Sequence, residues 1–132
     1  MKNNKLVVLL ALLIIFTAST SLLAQDLPIT YTDDLGREIV IDKEVERIIT
    51  LAPGMTEVIY ALGLEDKLVA VSSACDYPEE AQEKEDVGRI DEPNIEKIVS
   101  LEPDLVIAES VTKIESLERM TELGIKNIGF KP

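Results

Sequence analysis

Four short apolar runs, each separated from the next by a helical pattern, constrain this chain more than anything else in it. "RIITLAP" (47–53), "LVAVSS" (68–73), the stretch 104–108 and "KNIGF" (126–130) read as strands. Their apolar residues are continuous rather than alternating, the mark of strands buried on both faces. "TEVIYALGL" (56–64) predicts a helix with Val58, Ile59 and Leu62 inward and Gly63 at its carboxyl cap. Pro78 can open a further helix over "PEEAQEK". Asn94 to about Leu101 predicts a short helix with Ile95, Ile98 and Val99 on one face, stopped by Pro103. Thr112 and Glu115 have capping-box spacing, ahead of a helix that carries Ile114, Leu117 and Met120 inward and ends at Gly124. Strands and helices in this alternation build an α/β lobe. We expect a three-layer architecture: a mostly parallel central sheet of about four strands flanked by helices. "ITYTDDLGREIVI" (29–41) adds an N-terminal β-hairpin.

The first 24 residues stand apart. Lys2 and Lys5 precede an apolar run from Leu6 to Phe16, and Thr17 to Ala24 is small and polar. That is the pattern of a secretory signal peptide, and the run is short for a membrane span. Leu22-Leu23-Ala24 is followed by Gln25, not Cys, so a lipid anchor is not expected. The domain is then 25–132, expected to be periplasmic or secreted, and soluble once the signal is cleaved. It holds all 25 acidic residues and loses two of the 13 basic ones, a net charge of −14. Such a chain repels phosphate backbones, which argues against nucleic acid as a partner.

One cysteine, Cys75, cannot form an intrachain disulfide, and a small core residue is the expected role. The chain has no His, which removes the usual zinc site and most general-base chemistry. Ser73 and Ser110 sit at strand ends without a base to activate them, so a small α/β hydrolase is a remote alternative and no catalytic residue is assigned. Asp76, Glu79, Glu80, Glu83, Glu85 and Asp86 crowd one region without the spacing of a calcium loop. They read as a solvated face, and no metal ligand is assigned. Asp91 and Glu92 form a pair of carboxylates with nothing else pointing to hydrolysis. "APGMTE" (52–57) puts a glycine before a helix N-terminus, where free N–H groups can meet a ligand anion, but it lacks both the dinucleotide fingerprint and the P-loop Gly-Lys-Ser/Thr. In parallel sheets ligands bind beyond the carboxyl ends of the strands. Those ends are Pro53-Gly54-Met55, the run Ser73 to Tyr77, and Glu109-Ser110, with the loop Gly88 to Pro93 expected at the same rim.

The order of these motifs is more specific than any one of them. "RIITLAPGMTEVIYALGLEDKLVAVSSACDYPEEAQ" followed by "VGRIDEPNIEKIVSLEPDLVIAES" resembles the periplasmic substrate-binding proteins that deliver cobalamin, ferric siderophores or haem to ABC importers. The resemblance runs from about Ile29 to Pro132. It rests on Pro53-x-x-Thr56-Glu57, on Asp76-Tyr77-Pro78, and on Asn94 to Lys97 followed by Pro103 to Ile107. In that family a long helix joins two α/β lobes with the ligand in the cleft between them. The resemblance therefore implies the N-terminal lobe only: either a fragment, or a one-lobe protein with another role such as a secreted interaction or sensor domain. It also implies weak ligand binding by the isolated chain, or none, and a tendency to self-associate.

The resemblance further implies a ligand rim formed by Pro53, Gly54, Met55, Ala74, Tyr77, Arg89 and Ile90. Cobalamin binders of this type place aromatic residues where this chain has Ala74 and Ile90, which leaves the ligand open among iron-siderophore, haem and corrinoid. Arg89 can meet a carboxylate or catecholate of an iron chelate. The absence of His argues against haem held by His and against the related zinc and manganese binders, leaving a Tyr ligand open. Glu96 occupies the position of a family carboxylate that pairs with an Arg of the membrane permease, so it is the expected docking residue. No enzymatic activity and no cofactor is implied.

Overall fold

The structure is a computed structural model that describes residues 26–131; the segment read as a signal peptide lies outside the described residues. The chain opens with an antiparallel hairpin, β1 (Ile29–Thr32) and β2 (Glu38–Ile41), paired from Ile29↔Ile41 to Thr32↔Glu38. The lobe then runs β3 (Ile48–Thr50), α1 (Pro53–Ala61), β4 (Leu68–Val71), β5 (Glu85–Asp86), α2 (Ile95–Ser100), β6 (Leu105–Glu109), α3 (Ile114–Glu122) and β7 (Asn127–Phe130). The five strands β3 to β7 form one sheet in the order β5-β4-β3-β6-β7, with every neighbouring pair parallel. The expected α/β architecture and hairpin are thus present. The additional strand is β5, two residues long, whose sequence Glu85-Asp86 gives no apolar signal because it lies exposed at the sheet edge.

The sheet alternation divides the core in two. Ile49, Leu51, Ala70, Val106 and Ala108 pack with Ile98 of α2 and Leu117 and Met120 of α3. Ile48, Leu68, Val71 and Ile107 pack with Ile59 of α1. Cys75 is a buried free thiol in this second cluster, as its sequence context suggests.

Several helix faces differ from the sequence reading. α1 begins at Pro53, with proline in its first turn, so its buried stripe passes through Thr56 and Ile59 and turns Val58 and Leu62 to solvent. α2 rests on Ile98, with Ile95 half-buried, while Val99 is exposed: six residues offer only one full inward position. Ile114, at the start of α3, is also exposed. The segment after Pro78 forms a 3-10 helix, Glu79–Glu83, anchored by buried Ala81. Thr112 does not cap α3. It is buried, and its hydroxyl donates instead to the carbonyl of Ile90 at 2.8 Å.

Candidate functional site

Along the sheet, β3 leads to β4 and β5 on one side, whereas the next strands, β6 and β7, lie on the other. The chain therefore reverses direction between β3 and β6. In open parallel sheets the crevice beyond such a switch, at the carboxyl ends of the strands, is where ligands bind. Four connections reach that end here: Leu51 to Met55 after β3, Ser72 to Pro78 after β4, Val87 to Asn94 after β5, and Ser110 to Lys113 after β6.

The first two connections stand on a floor of buried polar side chains. The hydroxyls of Thr50 and Thr56 bond to one another, Thr56 donates to Cys75 Sγ at 3.2 Å, and Ser72 Oγ donates to the Leu51 carbonyl at 2.7 Å. These bonds tie the start of α1 to the turn after β4. The third connection is fastened on both flanks. Ser73 N donates to the Gly88 carbonyl at 2.8 Å, and Asn94 N donates to the Val87 carbonyl at 2.8 Å. On the other flank Thr112 holds the Ile90 carbonyl, and Lys113 N donates to the Asp91 carbonyl at 2.9 Å.

The residues expected at the rim divide by exposure. Gly54 and Ala74 are exposed, and Tyr77 is 66% exposed, a large aromatic with little cover. Pro53 and Met55 are half-buried, and Met55 packs against the core beneath α1. Ile90 is half-buried and packs against the other core cluster, so its side chain serves the lobe as well as the rim.

Arg89 is on the rim but its guanidinium is engaged. It donates through Nε to Oδ1 of Asp91 at 2.9 Å and through Nη2 to Oδ2 at 2.8 Å, a two-pronged pair in which Arg89 is 75% and Asp91 35% exposed. That bond is the main reason why the Asp91 carboxyl sits below, and the Arg89 guanidinium above, its ordinary range. Glu92 pairs in turn with Lys113 at 2.9 Å. Asp91 and Glu92, which the sequence presents as two neighbouring carboxylates, are thus each committed to a different cation. The Arg89-x-Asp91 spacing was the available signal for the first pair. The second joins two distant loops and left no local trace.

Glu96 lies in the first turn of α2 and is exposed. The Asn94 side chain caps this helix, accepting from Lys97 N at 2.9 Å. Lys97 pairs with Glu85 at 2.8 Å, whereas Glu96 joins no ion pair among the described residues. Among the same residues, no group of three or more His, Cys, Asp or Glu is placed to hold a metal ion, and no helix is long and apolar enough to cross a membrane.

The sequence from 48 to 128, from the start of β3 into the first half of β7, matches the family model described as periplasmic binding protein. The chain belongs to the periplasmic binding protein family. Among its relatives is the uncharacterized ABC transporter substrate-binding lipoprotein YvrC of Bacillus subtilis, 40% identical over 96 residues that make up 73% of this chain and 30% of that protein. The crystal structure of the periplasmic vitamin B12 binding protein BtuF of Vibrio cholerae superposes with a TM-score of 0.60 at 48% identity, over 64% of this chain and 34% of that one. The heme binding protein HmuT superposes with a TM-score of 0.70 at 28% identity, over 86% of this chain and 38% of that one. This periplasmic binding protein chain therefore spans about a third of the length of the relatives it matches.

Proposed function

We propose that this chain is the N-terminal, ligand-capturing lobe of the substrate-binding component of an ABC importer, acting outside the cytoplasmic membrane on a corrinoid, haem or iron-siderophore chelate. The observation that carries this reading is the assembly of Gly54, Ala74, Tyr77 and the Arg89–Ile90 loop at the carboxyl-end switch of a parallel sheet, in a member of the periplasmic binding protein family. Relatives named for vitamin B12 and heme binding support the chelate class. The rim offers one large exposed aromatic, Tyr77, against which the flat face of a macrocycle or catechol can pack. It holds no nucleophile paired with a base, which favours capture over chemistry.

One lobe contributes only part of an enclosing cleft, and affinity for a ligand of this size grows with enclosure. Equilibrium dialysis of the chain against cyanocobalamin, haemin and a ferric catecholate siderophore tests the reading, with ligand absorbance as the readout since the chain has no Trp. One of the three should be retained weakly, and Tyr77→Ala should lose it. Retention of none, or retention indifferent to Tyr77→Ala, would count against the rim.

Glu96 is the lobe's docking carboxylate for the importer's permease. Its place on a capped helix, exposed and outside any ion pair among the described residues, supports this role. A carboxylate held that way can take a partner Arg in a bidentate grip.

A further inference from the structure

We propose that Asp91 sets the charge selectivity of the rim: by holding the Arg89 guanidinium it leaves the four connections after β3, β4, β5 and β6 without an uncompensated cation, and so favours an uncharged chelate over an anionic one. This rests on the ligand-binding reading of the same surface. The four rim connections contain two cations, Arg89 and Lys113, and both are paired within the rim, to Asp91 and Glu92. The same connections and the end of β6 also carry Asp76 and Glu109, neither in an ion pair among the described residues. The local balance is negative, in a chain that is acidic throughout.

The geometry of the Arg89–Asp91 pair matters more than its strength. Asp91 takes Nε and one terminal nitrogen, the edge of the guanidinium that would otherwise grip a ligand carboxylate with two parallel bonds. A competing anion has to displace a carboxylate two residues away, on a loop already fastened by Ser73, Thr112 and Lys113. That internal partner is present at an effective concentration no dilute ligand matches. Arg89 is 75% exposed even with Asp91 in place, so without it the guanidinium stands as an open cation at the mouth of the site.

The test compares the parent chain with Asp91→Asn, Asp91→Ala and the double variant Asp91→Ala/Arg89→Gln, by nitrogen–proton correlation spectra during titration. The anionic probe is citrate and the uncharged one is cyanocobalamin. Citrate should leave the Arg89 side-chain Nε–H and the amides of Gly88 to Asp91 nearly unmoved in the parent. In Asp91→Ala it should shift them saturably with an affinity gain of about tenfold, the scale of one charge-assisted contact. The gain should be smaller in Asp91→Asn, whose amide oxygen still accepts from Arg89, should shrink with added salt, and should vanish in the double variant. Equal citrate response in the parent and Asp91→Ala, or a gain that survives Arg89→Gln, overturns the assignment. Cyanocobalamin should shift rim amides alike in the parent and Asp91→Ala. If it shifts none, the ligand-binding reading fails for a corrinoid, while the citrate comparison still decides the role of Asp91.

Discussion

The carboxylate of Asp33, in the hairpin turn, accepts a hydrogen bond from the backbone N–H of Gly129 at 3.0 Å, across 96 residues of chain. It also accepts from the backbone N–H of Leu35 and Arg37 and from the Arg37 guanidinium, which reaches on to Asn127 Oδ1 at 2.8 Å. One buried acid thus fastens the N-terminal hairpin to the edge strand β7. Asp34 N donates to the Gly129 carbonyl at 3.2 Å, covering backbone groups of β7 that an open edge would expose. The hairpin packs closely on β7 at Gly129: a Cβ there would lie 2.4 Å from Leu35 Cδ1, so Leu35 would have to move to admit one.

Asp33→Ala should therefore destabilise the lobe by about 2–4 kcal/mol, since it strands buried donors and leaves the Arg37 guanidinium without its carboxylate. Urea unfolding followed by circular dichroism measures this. A loss below about 0.5 kcal/mol, the scale of an ordinary surface substitution, would show that the hairpin is not held through Asp33.

Stability should also fall in acid through this group. Burial alone would raise the Asp33 carboxyl, but the backbone N–H groups of Arg37 and Gly129 and the Arg37 guanidinium outweigh it and leave it below its ordinary range. A carboxylate lowered on folding stabilises the fold above its unfolded-state value, and that contribution is lost as the pH falls toward the folded-state value. Asp104, lowered chiefly by its bond with Lys43, acts in the same direction. Unfolding midpoints should drop from about pH 5 downward, with unfolded Asp about half protonated near pH 4, and Asp33→Asn should flatten that drop. An unchanged slope in Asp33→Asn would remove Asp33 as a cause.

Glu102 has φ of 48°, in the left-handed region, directly after Leu101, the residue that caps the carboxyl end of α2. Side chains cost roughly 1 kcal/mol there, and glycine is the usual occupant of this position after a helix. Glu102→Gly should raise stability by up to about 1 kcal/mol, read as a higher thermal midpoint. A lower midpoint would mean that the Glu102 side chain contributes something its exposed position does not reveal.

Glu96→Lys should leave the unfolding midpoint within about 0.5 kcal/mol of the parent, because the residue is exposed on its helix. In a full-length binding protein carrying this lobe, it should weaken co-purification with the permease more than Glu96→Ala does, since it sets two cations together. Uptake by Glu96→Lys equal to the parent would reduce Glu96 to a solvated helix residue.

The layered α/β lobe was legible because its strands are dense in apolar residues, as Ile48 to Leu51 and Leu105 to Ala108 are, and because proline and glycine punctuate the helices between them. What escaped was set by tertiary contacts. Thr112 has the spacing of a cap, yet burial directs its hydroxyl to Ile90. Val58, Leu62 and Val99 carry helical periodicity, but these short helices each bury a narrow stripe. Asp33 reads as a turn residue, which it is, and nothing local announces that it also reaches β7. At the rim the residues could be named from the motif order, while the engagement of Arg89 by Asp91 required the loop's folded path.

The most direct measurement is a backbone-resolved nuclear magnetic resonance titration of the chain with cyanocobalamin, haemin and a ferric catecholate siderophore. If the carboxyl end of the sheet is the ligand surface, one of the three should shift the amides of Gly54, Met55, Ala74, Tyr77, Arg89 and Ile90 together, and leave those of the hairpin, Ile29 to Ile41, in place. Shifts confined to the hairpin or to α3, or none with any of the three, would contradict it.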